Sequence, residues 1–204
     1  YSLGLNTHLL CGHPVMWVMK MIKRFIEIGS ADFDTCLPLA KAGWEGISVE
    51  PVPYLYDRVK KQYEGHTVEV LNCAISDMKG SVKMAVGLDD GWLSGCSHVI
   101  SDNHIGYKLS THPDNANNFK QTITVDCMTL DDLLISIPSD QQIDIMKIDT
   151  EGHELNILMN YSFRIKPRFM KIEHKHVDDT LLVRKLEENG YMVWTEKDDI
   201  YGIV

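Results

Sequence analysis

The sequence predicts an α/β protein with three layers, in which a mainly parallel sheet ends in an antiparallel hairpin. Three observations carry that expectation. Short apolar runs alternate with helical patterns, the order that builds a parallel sheet with helices on both faces. Carboxylates and small polar residues follow one run after another, at residues 27–34, 50–51, 71–77, 149–154 and 173–176. Ligands of doubly wound sheets sit at such carboxyl ends of strands. Finally, the runs 192–195 and 200–204 are joined by Glu196-Lys197-Asp198-Asp199 and read as a closing hairpin.

Taken in order, the first strand is expected at residues 24–28 (Arg-Phe-Ile-Glu-Ile), running into Gly29-Ser30. Asp34 or Thr35 then offers a cap for a helix through Leu37, Leu39, Ala40 and Trp44, with Pro38 in its opening turn. Residues 46–50 form a second strand stopped by Pro51 and Pro53, followed by a helix over 54–63 and a third strand over 67–71. An extra strand fits residues 81–86. Strand and helix resume at 122–125 and 130–135, and residues 143–149 read as a buried strand. Thr150 is the expected cap of the next helix, whose Leu155, Leu158 and Met159 share a face. A strand over 169–174 and a helix over 180–189 precede the hairpin.

One domain over residues 1–204 is expected, with 1–20 as an N-terminal extension and 87–121 as a substrate or lid loop. That stretch is rich in Gly, Ser, Asp, Asn and His, and it offers Trp92, Ser94, Cys96, His98, His104, Tyr107 and His112 to an acceptor. An apolar fraction of 44% and a charged fraction of 24% suit a globular chain. No run approaches the roughly 18 apolar residues of a membrane span. Twenty basic against twenty-nine acidic residues give a net charge of −9. A surface of that sign disfavours nucleic acid, whose binding depends on Lys and Arg neutralising phosphates. The five cysteines have no paired spacing, so neither a disulfide framework nor a zinc knuckle is expected, and a cytoplasmic location is.

The turn Glu27-Ile28-Gly29-Ser30-Ala31-Asp32 is the first chemical signal. Gly29 lets the backbone turn and lets a ligand come close. Glu50 follows about twenty residues on, the interval at which a carboxylate accepts both hydroxyls of a ribose. A nicotinamide dinucleotide wants GxGxxG beneath its diphosphate. Here the window Gly29-Ser30-Ala31-Asp32-Phe33-Asp34 keeps one glycine and adds two carboxylates that repel a diphosphate. A sulfonium cation tolerates them. Taken alone, Asp34 reads as a helix cap.

The segment Ile143-Asp144-Ile145-Met146-Lys147-Ile148-Asp149-Thr150-Glu151-Gly152-His153-Glu154-Leu155 resembles the hallmark of the FkbM-type methyltransferases. Glu27-Ile28-Gly29, Val49-Glu50-Pro51, Ala74-Ile75-Ser76-Asp77 with Gly80, Thr129-Leu130-Asp131-Asp132-Leu133 and Ile172-Glu173 are similar to its flanking motifs and stand in the family's order. The resemblance implies a Rossmann-like class I methyltransferase fold with a seven-stranded sheet, S-adenosylmethionine as methyl donor, and transfer to a hydroxyl oxygen of a small molecule or glycan. It also implies a cofactor site of Glu27, Gly29, Ser30, Ala31, Glu50, Pro51, Ala74, Ile75, Ser76 and Asp149. Two residues depart from the family pattern: Ala31, where Asn is usual, and Phe33, where Gly is usual. They motivate the alternative of a non-catalytic binding module; an NAD(P)-dependent oxidoreductase is the other alternative on the same architecture.

For catalysis, Asp149 is expected to meet the acceptor or the methyl end, because it terminates the central strand beside the cofactor loop. Glu151 and His153 lie in the same turn, with pairing to the helix dipole as the plain reading of Glu151 and Glu154. Lys147 is expected to be held by a carboxylate at the strand end. Glu173-His174-Lys175-His176 is the most chemically loaded tetrapeptide. Strand alternation puts Glu173 on one face and His174 and His176 on the other. His174 or His176 is the expected base, and with Asp149 the two imidazoles make a possible partial site for a divalent metal such as Mg²⁺.

Overall fold

The computed structural model describes residues 23–31, 35–87, 95–100, 119, 121–138 and 141–204. The expected extension over 1–20 lies outside these, as do Asp32, Phe33, the capping candidate Asp34, and Trp92, Ser94, His104, Tyr107 and His112 of the expected acceptor loop. The chain forms β1 (Arg24–Ile28), α1 (Leu37–Lys41), β2 (Glu45–Val49), α2 (Pro53–Gln62), β3 (Val68–Leu71), β4 (Ala74–Ser76), β5 (Gly80–Val86), β6 (His98–Ile100), β7 (Gln121–Thr129) and α3 (Leu130–Leu134). It continues with β8 (Ile145–Ile148), α4 (Glu154–Met159), β9 (Phe169–Glu173), α5 (Asp179–Glu188), β10 (Met192–Glu196) and β11 (Asp199–Ile203).

A seven-stranded sheet runs in the order β10-β11-β9-β8-β1-β2-β3. Its five strands β3, β2, β1, β8 and β9 are parallel, and β11 and β10 add to β9 as an antiparallel hairpin. Strand alternation divides the core. Ile26, Ile28, Val49, Met146 and Ile148 pack with Leu133, Leu155, Leu158, Leu182 and Leu186 beneath α3, α4 and α5. On the opposite face Phe25 packs with Ala40, Val59 and Tyr63 under α1 and α2. Gly46 makes room there: a Cβ would collide with the Phe25 ring.

A second sheet was not expected. Four strands in the order β4-β7-β5-β6 form it, and β7 belongs here rather than to the main sheet. Val52 and Leu55 at the start of α2 pack against its Ala74, Met84, Val86, Val99 and Val125.

Local chemistry sets the ends of the helices, with some corrections to the sequence reading. Thr129 and Asp132 form a reciprocal capping box on α3, and the Asp178 side chain accepts from Thr180 N at 3.0 Å to start α5. Pro53 opens α2 at its first turn instead of preceding it. Thr35 does not cap α1; Cys36 takes that position, and its N–H donates to Glu27 Oε1 at 2.6 Å. Nor does Thr150 cap α4. That position is His153, and Thr150 instead donates its N–H and hydroxyl to Glu154 Oε1 at 2.6 and 2.8 Å. Met159 is exposed because α4 ends there, while Leu155 and Leu158 are fully buried.

Candidate active site

The carboxyl ends of β1, β2 and β8 meet β4 and the second sheet around a cleft of about 690 Å³, counted to its open mouth. Gly29, at a φ of +74°, turns the chain out of β1 and donates its N–H to Val49 O at 3.0 Å. A Cβ there would run into the Asp149 carbonyl, so only glycine lets this turn close against the end of β8. Ala31 follows in the left-handed region, at a φ of +44°, and its N–H donates to Glu50 Oε2 at 2.9 Å. Glu50 Oε1 accepts from Val52 N at 2.9 Å. The carboxylate is thereby fixed from both sides on the cleft wall, with 3% of the residue exposed.

The second wall is the loop after β8. Asp149 donates its N–H to Ile28 O at 2.9 Å, and its side chain lies 3.6 Å from Lys147 Nζ, the pairing expected for that lysine. Glu151 and Gly152 then adopt φ values of +56° and +109°. Glu154, 1% exposed, holds this strained turn by accepting from Thr150 and from Gly152 N. Burial pushes its carboxyl up to about 7 despite those donors.

Glu151, which lines the cleft, places its Oε2 3.1 Å from His176 Nε2, and Glu173 joins them in one cluster. Burial, and then the neighbouring carboxylates of Glu151, Asp149 and Glu154, push the Glu173 carboxyl up to about 9. Cys96 sits against the same charges: burial and Glu151 push its thiol up to about 12.

Of the expected cofactor residues, Gly29, Ser30, Ala31, Glu50, Pro51, Ala74, Ile75 and Asp149 line the cleft. Glu27 and Ser76 do not. Alternation turns the Glu27 side chain to the other face of the sheet, where it accepts from Cys36 N, Ser48 Oγ and Tyr63 OH. Ser76 is buried between His153 Nε2, at 2.9 Å, and Asp77. Among the catalytic candidates, Asp149 lines the cleft; Glu173 and His176 do not, but cluster with Glu151, which does, and His174 is elsewhere, with its Nε2 3.2 Å from Lys197 O. β9 ends at Glu173, so the expected alternation of Glu173 against His174 and His176 does not hold. Among the described residues the metal-capable cluster is therefore Glu151, Glu173 and His176 rather than His174, His176 and Asp149.

Residues missed by sequence reasoning are the apolar ones: Leu55 from α2, Cys73 before β4, Met84 from β5 and Val99 from β6. The alternation of residues 81–86 was an available signal for Met84 alone. Gly95 and Ser97 of the expected acceptor loop also line the cleft.

A profile of the methyltransferase FkbM domain matches residues 24–193, and the chain belongs to that family. No curated protein matches it. Among solved structures, it is similar to a chain of a fibrillarin/Nop5p complex (11% identity, 90% of this chain and 72% of that one, TM-score 0.45). It is also similar to a human methyltransferase 10 domain containing protein (12% identity, 94% and 74%, TM-score 0.47). A third is the N-terminal domain of human METTL16 (13% identity, 89% and 60%, TM-score 0.39). Membership answers the nicotinamide alternative: this is a methyltransferase fold, and the family implies S-adenosylmethionine as donor. No helix among the described residues is long and apolar enough to cross a membrane.

The residues present fit that donor. The cleft combines apolar lining, a fixed acceptor-only carboxylate at Glu50 after β2, and the carboxylates of Asp149 and Glu151 after β8 on the other side of β1. Those three features suit a flat base, a vicinal diol and a cation in turn.

Proposed function

We propose that this protein transfers a methyl group from S-adenosylmethionine to a hydroxyl oxygen of a small molecule or glycan. The donor supplies an electrophilic methyl on a sulfonium; the chain has to hold, orient and deprotonate the acceptor. Glu50 takes the ribose hydroxyls, while Ala74 and Ile75 flank the base. Gly29, Ser30, Ala31 and Pro51 shape the wall between. Asp149 faces the acceptor, and Glu151, Glu173 and His176 form the group that activates its hydroxyl. The observation that supports this order most is that Glu50 and the Asp149–Glu151 turn both line the cleft from opposite sides of β1, after β2 and β8. A hydroxyl acceptor accords with Asp149 and Glu151 in the lining and Glu173 and His176 beside Glu151, side chains that accept or hold protons.

A screen of sugars, glycolipids and phenols with labelled donor, with product linkage read by mass spectrometry, tests the reading. Asp149→Asn is expected to lower turnover at least about tenfold while leaving S-adenosylhomocysteine affinity nearly unchanged, since its role is at the reacting end. Methyl groups found only on nitrogen or carbon, or full turnover in Asp149→Asn, contradict it. No transfer to any acceptor despite tight donor binding favours the non-catalytic module.

A further inference from the structure

We infer that Glu151, Glu173 and His176 form a binding site for a divalent first-row metal cation, of the Mn²⁺ kind, at the acceptor end of the cleft. One ligand atom from each lies within 4.8 Å of the other two. Ligand atoms sharing a cation at about 2.0–2.2 Å stand at most roughly 4.4 Å apart, so slight side-chain movement closes the cluster on an ion. The set is mixed: two carboxylates and one imidazole, a combination that suits Mn²⁺, Fe²⁺ or Zn²⁺ better than Ca²⁺.

A separate observation points to a missing partner. Glu173 Oε2 is shut off from solvent and has no hydrogen-bond donor among the described residues. A buried carboxyl oxygen left so is costly, and a cation that displaces the Glu173 proton would satisfy it. The three ligands come from fixed backbone: the Glu154-anchored turn after β8, the end of β9, and the turn that follows it. His174 takes no part, because its ring engages Lys197 O.

Three protein ligands leave coordination positions open, and Glu151 also lines the cleft. This use deepens the proposed hydroxyl methylation and rests on it, whereas the ion site itself does not. A cation there acidifies the acceptor hydroxyl. Its proton passes to Asp149, the oxygen–carbon bond forms as the carbon–sulfur bond breaks, and the sulfur pair leaves a neutral thioether.

The test is Mn²⁺ titration of the chelator-treated chain, by calorimetry and by loss of the free-ion paramagnetic resonance signal. Glu173→Gln and His176→Ala are compared with the wild type, and retained circular dichroism confirms folding. One ion per chain is expected, with affinity lowered at least about tenfold in each variant. No uptake by the wild type at millimolar Mn²⁺, or uptake unchanged in both folded variants, overturns the site. Mn²⁺ uptake without hydroxyl methylation would instead remove the proposed reaction and leave the site standing. Hydroxyl methylation without Mn²⁺ uptake would do the reverse.

Discussion

Glu173 shows how a single side chain can couple the site to stability. Its carboxyl is raised in the fold by burial and by three neighbouring carboxylates. Above the ordinary value of 4.5 and up to about 9, the folded chain therefore keeps a proton that the unfolded chain releases. Its contribution to stability is complete below the lower limit and is lost as pH rises through that window. Glu173→Gln, which stays neutral, is expected to lose less melting temperature than the wild type between about pH 6 and pH 9 with chelator present. Equal losses would show that Glu173 is not held protonated. At this scale the sequence was partly legible. Gly29 and Glu50 were readable because a tight turn and a carboxylate about twenty residues on are local patterns. Glu27 misled, because motif position says nothing about which face of β1 a side chain takes. The alternation that buries Ile26 and Ile28 under α3–α5 sends Glu27 to Tyr63 and Ser48.

Among the elements, the loop after β8 joins stability to chemistry. Glu154 accepts from Thr150 and Gly152 while Glu151 sits in the left-handed region between them. Glu154→Gln places an amide donor against those N–H groups, so a cost of about 1–3 kcal/mol is expected in denaturant unfolding. Turnover should fall with it, because Asp149 and Glu151 lose their fixed backbone. An unfolding midpoint equal to the wild type's would refute the clamp. Strands β1, β2 and β8 were legible from apolar runs that end in polar residues. The second sheet was not: β4 has three residues and β6 has three, too few for alternation to register. The histidines after Glu173 were misread for a related reason. β9 ends where its antiparallel partner β11 begins, with Glu173 opposite Asp199, and nothing in Glu-His-Lys-His announces that stop.

For the whole molecule, the chain order of motifs carried the family, while the cleft needed three dimensions. Its carboxylates follow β2 and β8, which flank β1 in the main sheet, whereas Met84 and Val99 arrive from a different sheet. Acidic charge gave the sequence-based expectation against nucleic acid, and the site's own carboxylates are part of that charge. On the proposed reading, donor binding depends on Glu50, which is fixed between Ala31 and Val52. Calorimetric titration of wild type and Glu50→Ala with S-adenosylhomocysteine tests it most directly. Losing a charged acceptor for buried hydroxyls costs roughly 1.5–3 kcal/mol, so the variant should bind at least about tenfold more weakly while remaining folded. Equal affinity in the two proteins, or no binding by the wild type, would contradict the account.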